Sequence, residues 1–572
     1  RQKRPDLAVD SLQKSIELNA NSVQAHAMLG TVYRHLGKLD EAIAASQKAI
    51  ELKSDFVQAH NNLATALHSA RRWDDAAAAF EQALRLNPDD VSTLNNYANL
   101  LAEIDKPAKA TRYYRAALSA DPSRIEILSN LGNVLKSQAK LSEAIACYKQ
   151  TLALQPQRAD IHSNLLMTMN CQPQADSGLL AEHQKWAERH AARHYPTSLS
   201  FTNDRSPDRR LRIGYVSPDF RRHSVAYFFE PILIAHDRAQ FEIFCYSDVV
   251  HGDDVTQRLR DRADQWRDIA GLSDVRIAQL IRKDEIDILV DLAGHTAHNR
   301  LIAFAHRPAP IQVNYLGYPN TTGVATIDYR ITDAQADPPG LTESQHTEKL
   351  VRLPSGFLCY RPAENSPPPR DVAQGENSFL TFGTCNNFAK VTPQMIALWS
   401  KILLAVPDSR LLIKAKSLGE ESVQQEMHAA FANHGIDAQR LQLLTHEPSF
   451  LKHLTTYQQI DIALDTFPYH GTTTTCEALW MGVPVVTRAG NAHVSRVGVS
   501  LLHRVGLNEL IAENDEQYVS IAIDLASDPQ RRKNISSSLR DRMQSSPLTN
   551  AENFVRDMES IYRQMWQTWC RP

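Results

Sequence analysis

The sequence predicts an α superhelix of stacked repeats followed by two doubly wound α/β lobes. A 34-residue self-similarity fills the first third, with Leu29, Leu63, Tyr97, Leu131 and Leu165 in one column and Ala42, Ala76, Ala110 and Ala144 in another. From Leu211 the pattern changes to short apolar, β-rich runs alternating with helical stretches, as in a parallel sheet covered on both faces. A Pro-rich polar break at residues 361–378 divides that region into two halves of the same kind.

In the repeat region the large apolar residue lies on a first helix and the small alanine on a second, where it lets the paired helices approach. Pro88, Pro122 and Pro156 stop one repeat before the next. Period and pattern together resemble the tetratricopeptide (TPR) family. Four full repeats run from residues 21–53 to 123–156, with half repeats at 5–18 and 158–169, so the array is assigned to 1–170. A further column, Asn62, Asn96, Asn130 and Asn164, has the same spacing. On the inner surface of a superhelix such amides suit the backbone of an extended peptide; the alternative is that they tie neighbouring helices together.

A helical connector, 171–208, follows, with one long amphipathic helix expected at 177–195. The first lobe, 209–360, has strands expected at LRIGYVS, FEIFCYS, IDILVDLAG, IQVNYLGYP, IDYRITD and KLVRLPS. After the 361–378 linker, the second lobe, 379–546, has strands at FLTFGTCN, RLLIKA, RLQLLTH, IDIALDTF and VPVVTRAG. The last segment, 547–572, carries an apolar stripe (Phe554, Met558, Ile561, Tyr562, Met565, Trp566 and Trp569) and is expected to strap the lobes together.

A chain of 572 residues is too long for one core. Its 62 basic and 65 acidic residues, a net charge of −3, argue against a general nucleic-acid or membrane-surface binder. No apolar run is long enough to span a bilayer, and RQKRPDLAVD lacks the apolar core of a signal peptide, so a soluble chain is expected. Because the first residue is not Met, further residues are expected before Arg1. Cysteines 147, 171, 245, 359, 385, 476 and 570 are odd in number and form no CxxC pair, which suits the cytoplasm and offers no zinc site. Neither HExxH nor a metal-binding Asp-x-Asp occurs, so chemistry without metal or cofactor is expected.

The stretch DTFPYHGTTTTCEALWMGVP, 465–484, draws the chemistry together. A strand ends in a short turn, and after Gly471 four threonines open a helix whose first amides lack intrahelical partners and can hold a phosphate. Glu477 lies one turn in, where a carboxylate can accept from a ribose diol. The alternative for the threonines is ordinary helix capping. After the first strand of this lobe, CNNFAKVTP places Asn387 and Lys390 where they can neutralise a departing diphosphate; otherwise Lys390 is a solvated loop charge. In the first lobe, His223 follows strand one and is read as a base or a positioned hydrogen bonder, against a structural loop histidine. His295, in AGHTAHNR, is a second cleft candidate from its position after a strand.

The ordered set of a TPR array, RLRIGYVSPDFRRHS, RPAPIQVNYLGYPNTTG, CNNFAK and DTFPYHGTTTTCEALWMGVPVVT resembles the O-linked N-acetylglucosamine transferase family over essentially the whole chain. The resemblance implies a metal-independent, inverting glycosyltransferase of GT-B architecture, with Rossmann-like lobes, moving GlcNAc from UDP-GlcNAc to Ser or Thr hydroxyls of proteins. By the same resemblance His223 is the cleft histidine near sugar and acceptor, and Lys390 the lysine on the diphosphate, with Asn387 at a family glutamine position. Thr472, Thr473 and Thr474 match the phosphate binders, Glu477 a ribose-binding aspartate and His453 a histidine stacked on uracil. Leu316, Gly317, Tyr318 and Pro319 match the segment beside the sugar. Two departures bear on the donor. A ribose-binding lysine is replaced by Phe450, with Lys452 nearby, and the animal insert between lobes is absent. A relative of the same plan uses GDP-fucose, so the rival readings are a protein O-fucosyltransferase and a TPR scaffold with an inactive nucleotide-binding module.

Overall fold

The computed structural model describes residues 5–172, 178–198, 200–369 and 379–571. The end of the expected linker, 370–378, and the first residue of the expected connector helix, Ser177, lie outside them. Contacts divide the chain into two units, Arg1–Gln155 with Gly419–Val423, and Pro156–Leu418 with Gln424–Pro572.

The array is a run of antiparallel helix pairs: α1 (Pro5–Leu18), α2 (Val23–His35), α3 (Leu39–Leu52), α4 (Val57–Ser69), α5 (Trp73–Leu86), α6 (Val91–Glu103), α7 (Pro107–Ala120), α8 (Ile125–Ser137), α9 (Leu141–Leu154) and α10 (Ala159–Met169). First helices begin at 23, 57, 91, 125 and 159, and second helices at 39, 73, 107 and 141, each 34 after the last. Ala42, Ala76, Ala110 and Ala144 are fully buried, because only a methyl fits where the two helices meet. The turn inside each pair from α2–α3 to α8–α9 passes through a left-handed residue: Gly37, Arg71, Asp105 and Ala139, with φ between 58° and 75°. The last half repeat, α10, groups with the second unit, since Ser163 Oγ and Asn170 Nδ2 bond His295 (3.1 Å) and the Tyr318 hydroxyl (2.8 Å) of the first lobe.

The connector helix starts as Leu179–Trp186 and continues as a π turn, Ala187–Ala191, and a 3-10 turn, Ala192–His194. The first lobe is a seven-stranded parallel sheet built from β1 (Leu211–Ser217), β2 (Phe241–Ser247), β3 (Gln265–Asp268), β4 (Ile288–Asp291), β5 (Ile311–Asn314), β6 (Tyr329–Thr332) and β7 (Lys349–Arg352), in the order β3-β2-β1-β4-β5-β6-β7. The second is a six-stranded parallel sheet of β8 (Leu380–Thr384), β9 (Ser409–Lys414), β10 (Leu441–Leu444), β11 (Ile462–Leu464), β12 (Val485–Arg488) and β13 (Ile511–Ala512), in the order β10-β9-β8-β11-β12-β13. The sequence reading missed β3 and β13: one is a polar edge, QWRD, and the other only two residues long.

Both sheets reverse strand order beside their first strand, between β1 and β4 and between β8 and β11. Loops leaving those strands splay apart at the carboxyl edge and open a crevice there.

The final helix, Ala551–Cys570, returns from the second lobe and completes the core of the first. Phe554, Met558, Tyr562 and Trp566 are fully buried with Tyr215, Phe229 and Ile232. Its Glu559 accepts from His236 (2.8 Å) and from the amide of Asp237 (2.9 Å). The lobes also meet through Asp337, which accepts from His493 at 2.6 Å, and Asp333, which accepts from Ser500 at 2.5 Å.

Candidate active site

At the reversal of the second sheet, the loops after β8 and β11 converge. Asp465, which follows β11, organises the turn: its Oδ1 accepts from the amides of Thr466 (2.9 Å) and Gly471 (2.8 Å), and its Oδ2 from Thr487 (2.8 Å). Gly471 is required by space, since a Cβ there would lie 2.6 Å from Thr474 Oγ1 and 2.7 Å from Asn386 Oδ1. The helix that follows is Thr473–Trp480.

Thr472 holds the capping position, yet its side chain caps nothing. Thr474 Oγ1 turns to Asn386 Oδ1 (2.7 Å) and Thr475 Oγ1 to the Gly471 carbonyl (3.2 Å). Among the described residues the amides of Thr472, Thr473 and Thr474 have no hydrogen-bond partner, and all three residues are half-buried. The run is therefore not an ordinary cap. It leaves donors at the positive end of a helix, the arrangement that holds an anion.

Lys390 arrives from the loop after β8. Its Nζ donates to the carbonyl of His470 at 2.8 Å, inside the turn that precedes the threonines, and lies 3.9 Å over the Tyr469 ring. It is no solvated loop charge: burial pushes its ammonium down to about 8. Asn387 caps the short helix Phe388–Lys390 by accepting from the Ala389 amide at 3.0 Å, and is otherwise exposed. His470 fixes the carbonyl that Lys390 uses, because its ring bonds the Arg488 carbonyl (2.9 Å) and accepts from the Gly498 amide (3.0 Å).

Glu477 is buried one turn into the helix, and its Oε2 accepts from His453 Nε2 (3.0 Å) and from the Tyr457 hydroxyl (2.9 Å). Its Oε1 accepts nothing among the described residues. Phe450 stacks on Tyr227 of the first lobe, with ring centres 5.4 Å apart, while Lys452 is exposed.

In the first lobe, His223 precedes the helix Ser224–Ala235, and its Nδ1 accepts from the Val225 amide at 3.3 Å. Asp219 Oδ1 stands 3.6 Å from the same nitrogen. Burial lowers the His223 pKa and Asp219 opposes it. With Nδ1 accepting, the neutral ring carries its proton on Nε2, which makes that nitrogen a donor.

The LGYP segment follows β5. Leu316 has φ of 74°, and a Cβ on Gly317 would fall 2.0 Å from the Leu292 carbonyl, so the backbone is pressed against the β4 loop. Tyr318 is fully buried, and its hydroxyl bonds Asn170 and His183, each at 2.8 Å. Pro319 is buried beside it. These two side chains brace the loop from behind.

One expectation is corrected by the structure. His295 is no cleft residue: it is buried, its Nδ1 meets Ser163 Oγ at 3.1 Å and its Nε2 the Thr322 carbonyl at 2.8 Å, and the Trp186 ring lies edge-on at 4.7 Å. A post-strand position fixed its place in the chain but not its direction. Three residues of the asparagine column bond to their neighbours. Asn62 donates to the Ala27 carbonyl (2.8 Å) and accepts from Gln58, Asn96 donates to Asn61 (3.2 Å), and Asn130 donates to Asn99 (3.2 Å). Asn164 lies half-buried on α10. Asn62, Asn96 and Asn130 thus tie neighbouring helices, and Asn96 and Asn130 stay half-buried.

Asp465, Asn386, His470, Lys414 and Tyr457 were not singled out from sequence. Asp465 had a signal, an acid following an apolar strand just before a Gly-Thr turn. Lys414 had a similar one, a lone cation closing the apolar strand β9.

The model for glycosyl transferase family 41 matches residues 161–361 and 371–558, and tetratricopeptide repeat models match 11–44, 30–70, 61–125 and 132–165. A protein of Oryza sativa subsp. japonica described as probable UDP-N-acetylglucosamine–peptide N-acetylglucosaminyltransferase SPINDLY is 48% identical over 399 residues, 69% of this chain and 43% of that protein. A Caenorhabditis elegans UDP-N-acetylglucosamine–peptide N-acetylglucosaminyltransferase is 27% identical over 477 residues, 63% of this chain and 41% of the relative. The chain thus spans less than half the length of these curated relatives. Among solved structures, a lysine-to-methionine mutant of Thermobaculum terrenum O-GlcNAc transferase superposes with a TM-score of 0.82 at 36% identity, covering 90% of this chain and 98% of that one. Its two parallel-sheet lobes share the GT-B plan. The family model alone spans more than half of the chain, and the chain belongs to glycosyl transferase family 41.

Proposed function

We propose that this chain transfers GlcNAc from UDP-GlcNAc to Ser or Thr hydroxyls of protein acceptors, with inversion and without a metal. The observation that carries the reading is the convergence, at one strand-order reversal, of three unpartnered helix-terminal amides and the buried ammonium of Lys390. Glycosyl transfer builds negative charge on the departing diphosphate, and fixed donors aimed at that charge stabilise the transition state. Thr472, Thr473 and Thr474 supply amides, Lys390 supplies charge, and Glu477 Oε1 stands open for a ribose hydroxyl. His223, a donor at Nε2, orients the acceptor or the sugar beside the LGYP segment. The TPR array supports a protein acceptor, with the half-buried asparagines of its column among the residues that would meet it.

The test is transfer itself. The chain is incubated with an acceptor protein mixture and either UDP-GlcNAc or GDP-fucose, and Ser/Thr adducts are read by mass spectrometry. GlcNAc adducts from UDP-GlcNAc support the reading. Fucose adducts alone replace the donor, and no adduct from either leaves a nucleotide-binding scaffold.

A further inference from the structure

Lys414 closes β9 and is 5% exposed, an unusual place for a lysine. Its Nζ reaches His453 Nδ1 at 2.9 Å and Thr456 Oγ1 at 2.9 Å. An ammonium has hydrogens and no lone pair, so His453 Nδ1 must accept. The imidazole proton then sits on Nε2, where it donates to Glu477 Oε2 at 3.0 Å. Tyr457 adds a second donor to the same oxygen at 2.9 Å and packs edge-on against His453, ring centres 5.6 Å apart. The chain of bonds thus runs from a buried cation through a neutral ring to a buried carboxylate. Each charge is compensated, and the ring is pinned at both nitrogens.

We propose that Lys414 is a positioning residue for the donor's nucleoside: while Glu477 holds Nε2, Lys414 holds Nδ1, fixes the plane of His453 and so leaves only the ring face for a nucleobase. Both ring nitrogens are spent on protein, so His453 meets a ligand by stacking and not by an edge hydrogen bond. The same bond holds Glu477 Oε2 and turns Oε1 outward as the acceptor for a ribose hydroxyl. Thr456, one helical turn from Lys452, keeps Nζ from swinging away, so the device is built from β9, the helix Phe450–Thr455 and the threonine helix together. The role is indifferent to whether the base is uracil or guanine, since every base offers a face. The proposal rests on the nucleotide reading of this pocket, and its test keeps the two apart.

Two variants of the full chain serve, Lys414→Met, which removes the donor, and Lys414→Gln, which keeps an uncharged N–H donor. Nitrogen-15 spectra of the imidazoles, with the His453 signal identified by its loss in His453→Phe, read the tautomer without any ligand. The expected result is protonation at Nε2 in all three chains, because the Glu477 carboxylate still accepts there, with the Nδ1 signal displaced by loss of its donor in Lys414→Met and restored in Lys414→Gln. Kinetics with UDP-GlcNAc, and with GDP-fucose in parallel, should show KM for the donor about tenfold higher in Lys414→Met, the size of penalty seen when a partner orienting a functional histidine is lost. The kcat should be nearly unchanged, with KM largely restored in Lys414→Gln. A wild-type His453 protonated at Nδ1, or a Lys414→Met chain with both Nδ1 signal and KM unchanged, overturns the proposal. If the wild type turns over neither donor and calorimetry shows no binding of UDP or GDP, the nucleotide reading fails, and the Nδ1 signal alone still decides whether Lys414 holds the ring.

Discussion

Lys390 uses one of its three hydrogens on the His470 carbonyl among the described residues, which leaves two to point at a ligand in the same crevice. Replacing it with alanine removes the preorganised charge but no part of a core, so Lys390→Ala should lower kcat by about 10²–10³, roughly 2.7–4 kcal/mol, with an unchanged circular dichroism spectrum. The pH dependence has a definite sign. Burial depresses the Lys390 pKa to about 8, so the required ammonium is lost as pH rises through that value. The profile of kcat/KM, which reports the free enzyme, should fall on the alkaline side near pH 8; a profile flat for about two further units contradicts the role. At this scale sequence reading finds residues whose place in the chain sets their surroundings, such as Lys390 and the threonines after a strand. It fails for His295, whose neighbours Ser163, Trp186 and Thr322 are distant in sequence, and for Lys414, whose role exists only through His453.

The threonine helix shows what an element adds to its residues. Its capping position is filled by a threonine that does not cap, because Asp465 draws the Gly471 amide inward and Asn386 takes the Thr474 hydroxyl. The pattern of strand, glycine and threonines was legible; the side-chain partners that leave the amides open were not. The repeat helices were legible throughout, since a period repeated four times averages out local ambiguity. Their turns carry a further regularity: Gly37 sits at φ 75°, while Arg71, Asp105 and Ala139 hold φ between 58° and 60° in the equivalent places. A Cβ in the left-handed region is strained, so Ala139→Gly should stabilise the array by about 0.5–1 kcal/mol, measured as a shift in urea midpoint at constant slope. The strands lost to sequence reading, β3 and β13, lack the apolar length that gives a strand its signal.

At the level of the molecule, the chain leaves the first lobe, builds the second and comes back to finish the first with its last helix. The apolar stripe of that helix was visible in the sequence; which lobe it completes was not, because Phe554 meets Tyr215 and Phe229 across more than half of the chain. Phe554→Ala should therefore destabilise the first lobe by about 3–5 kcal/mol in denaturant unfolding, although the residue lies near the end of the chain. Among the described residues no helix is long and apolar enough to cross a membrane. Two sheets that reverse strand order beside their first strand, joined through Asp337 with His493 and Asp333 with Ser500, each open a crevice at that reversal, the second between the loops after β8 and β11. The central claim is that a nucleotide's diphosphate seats there. A crystal structure of the chain with UDP tests it most directly: phosphate oxygens should lie about 2.7–3.2 Å from the amides of Thr473 and Thr474 and from Lys390 Nζ. Diphosphate bound elsewhere, with Lys390 still held only by His470 and the threonine amides bare, would contradict it.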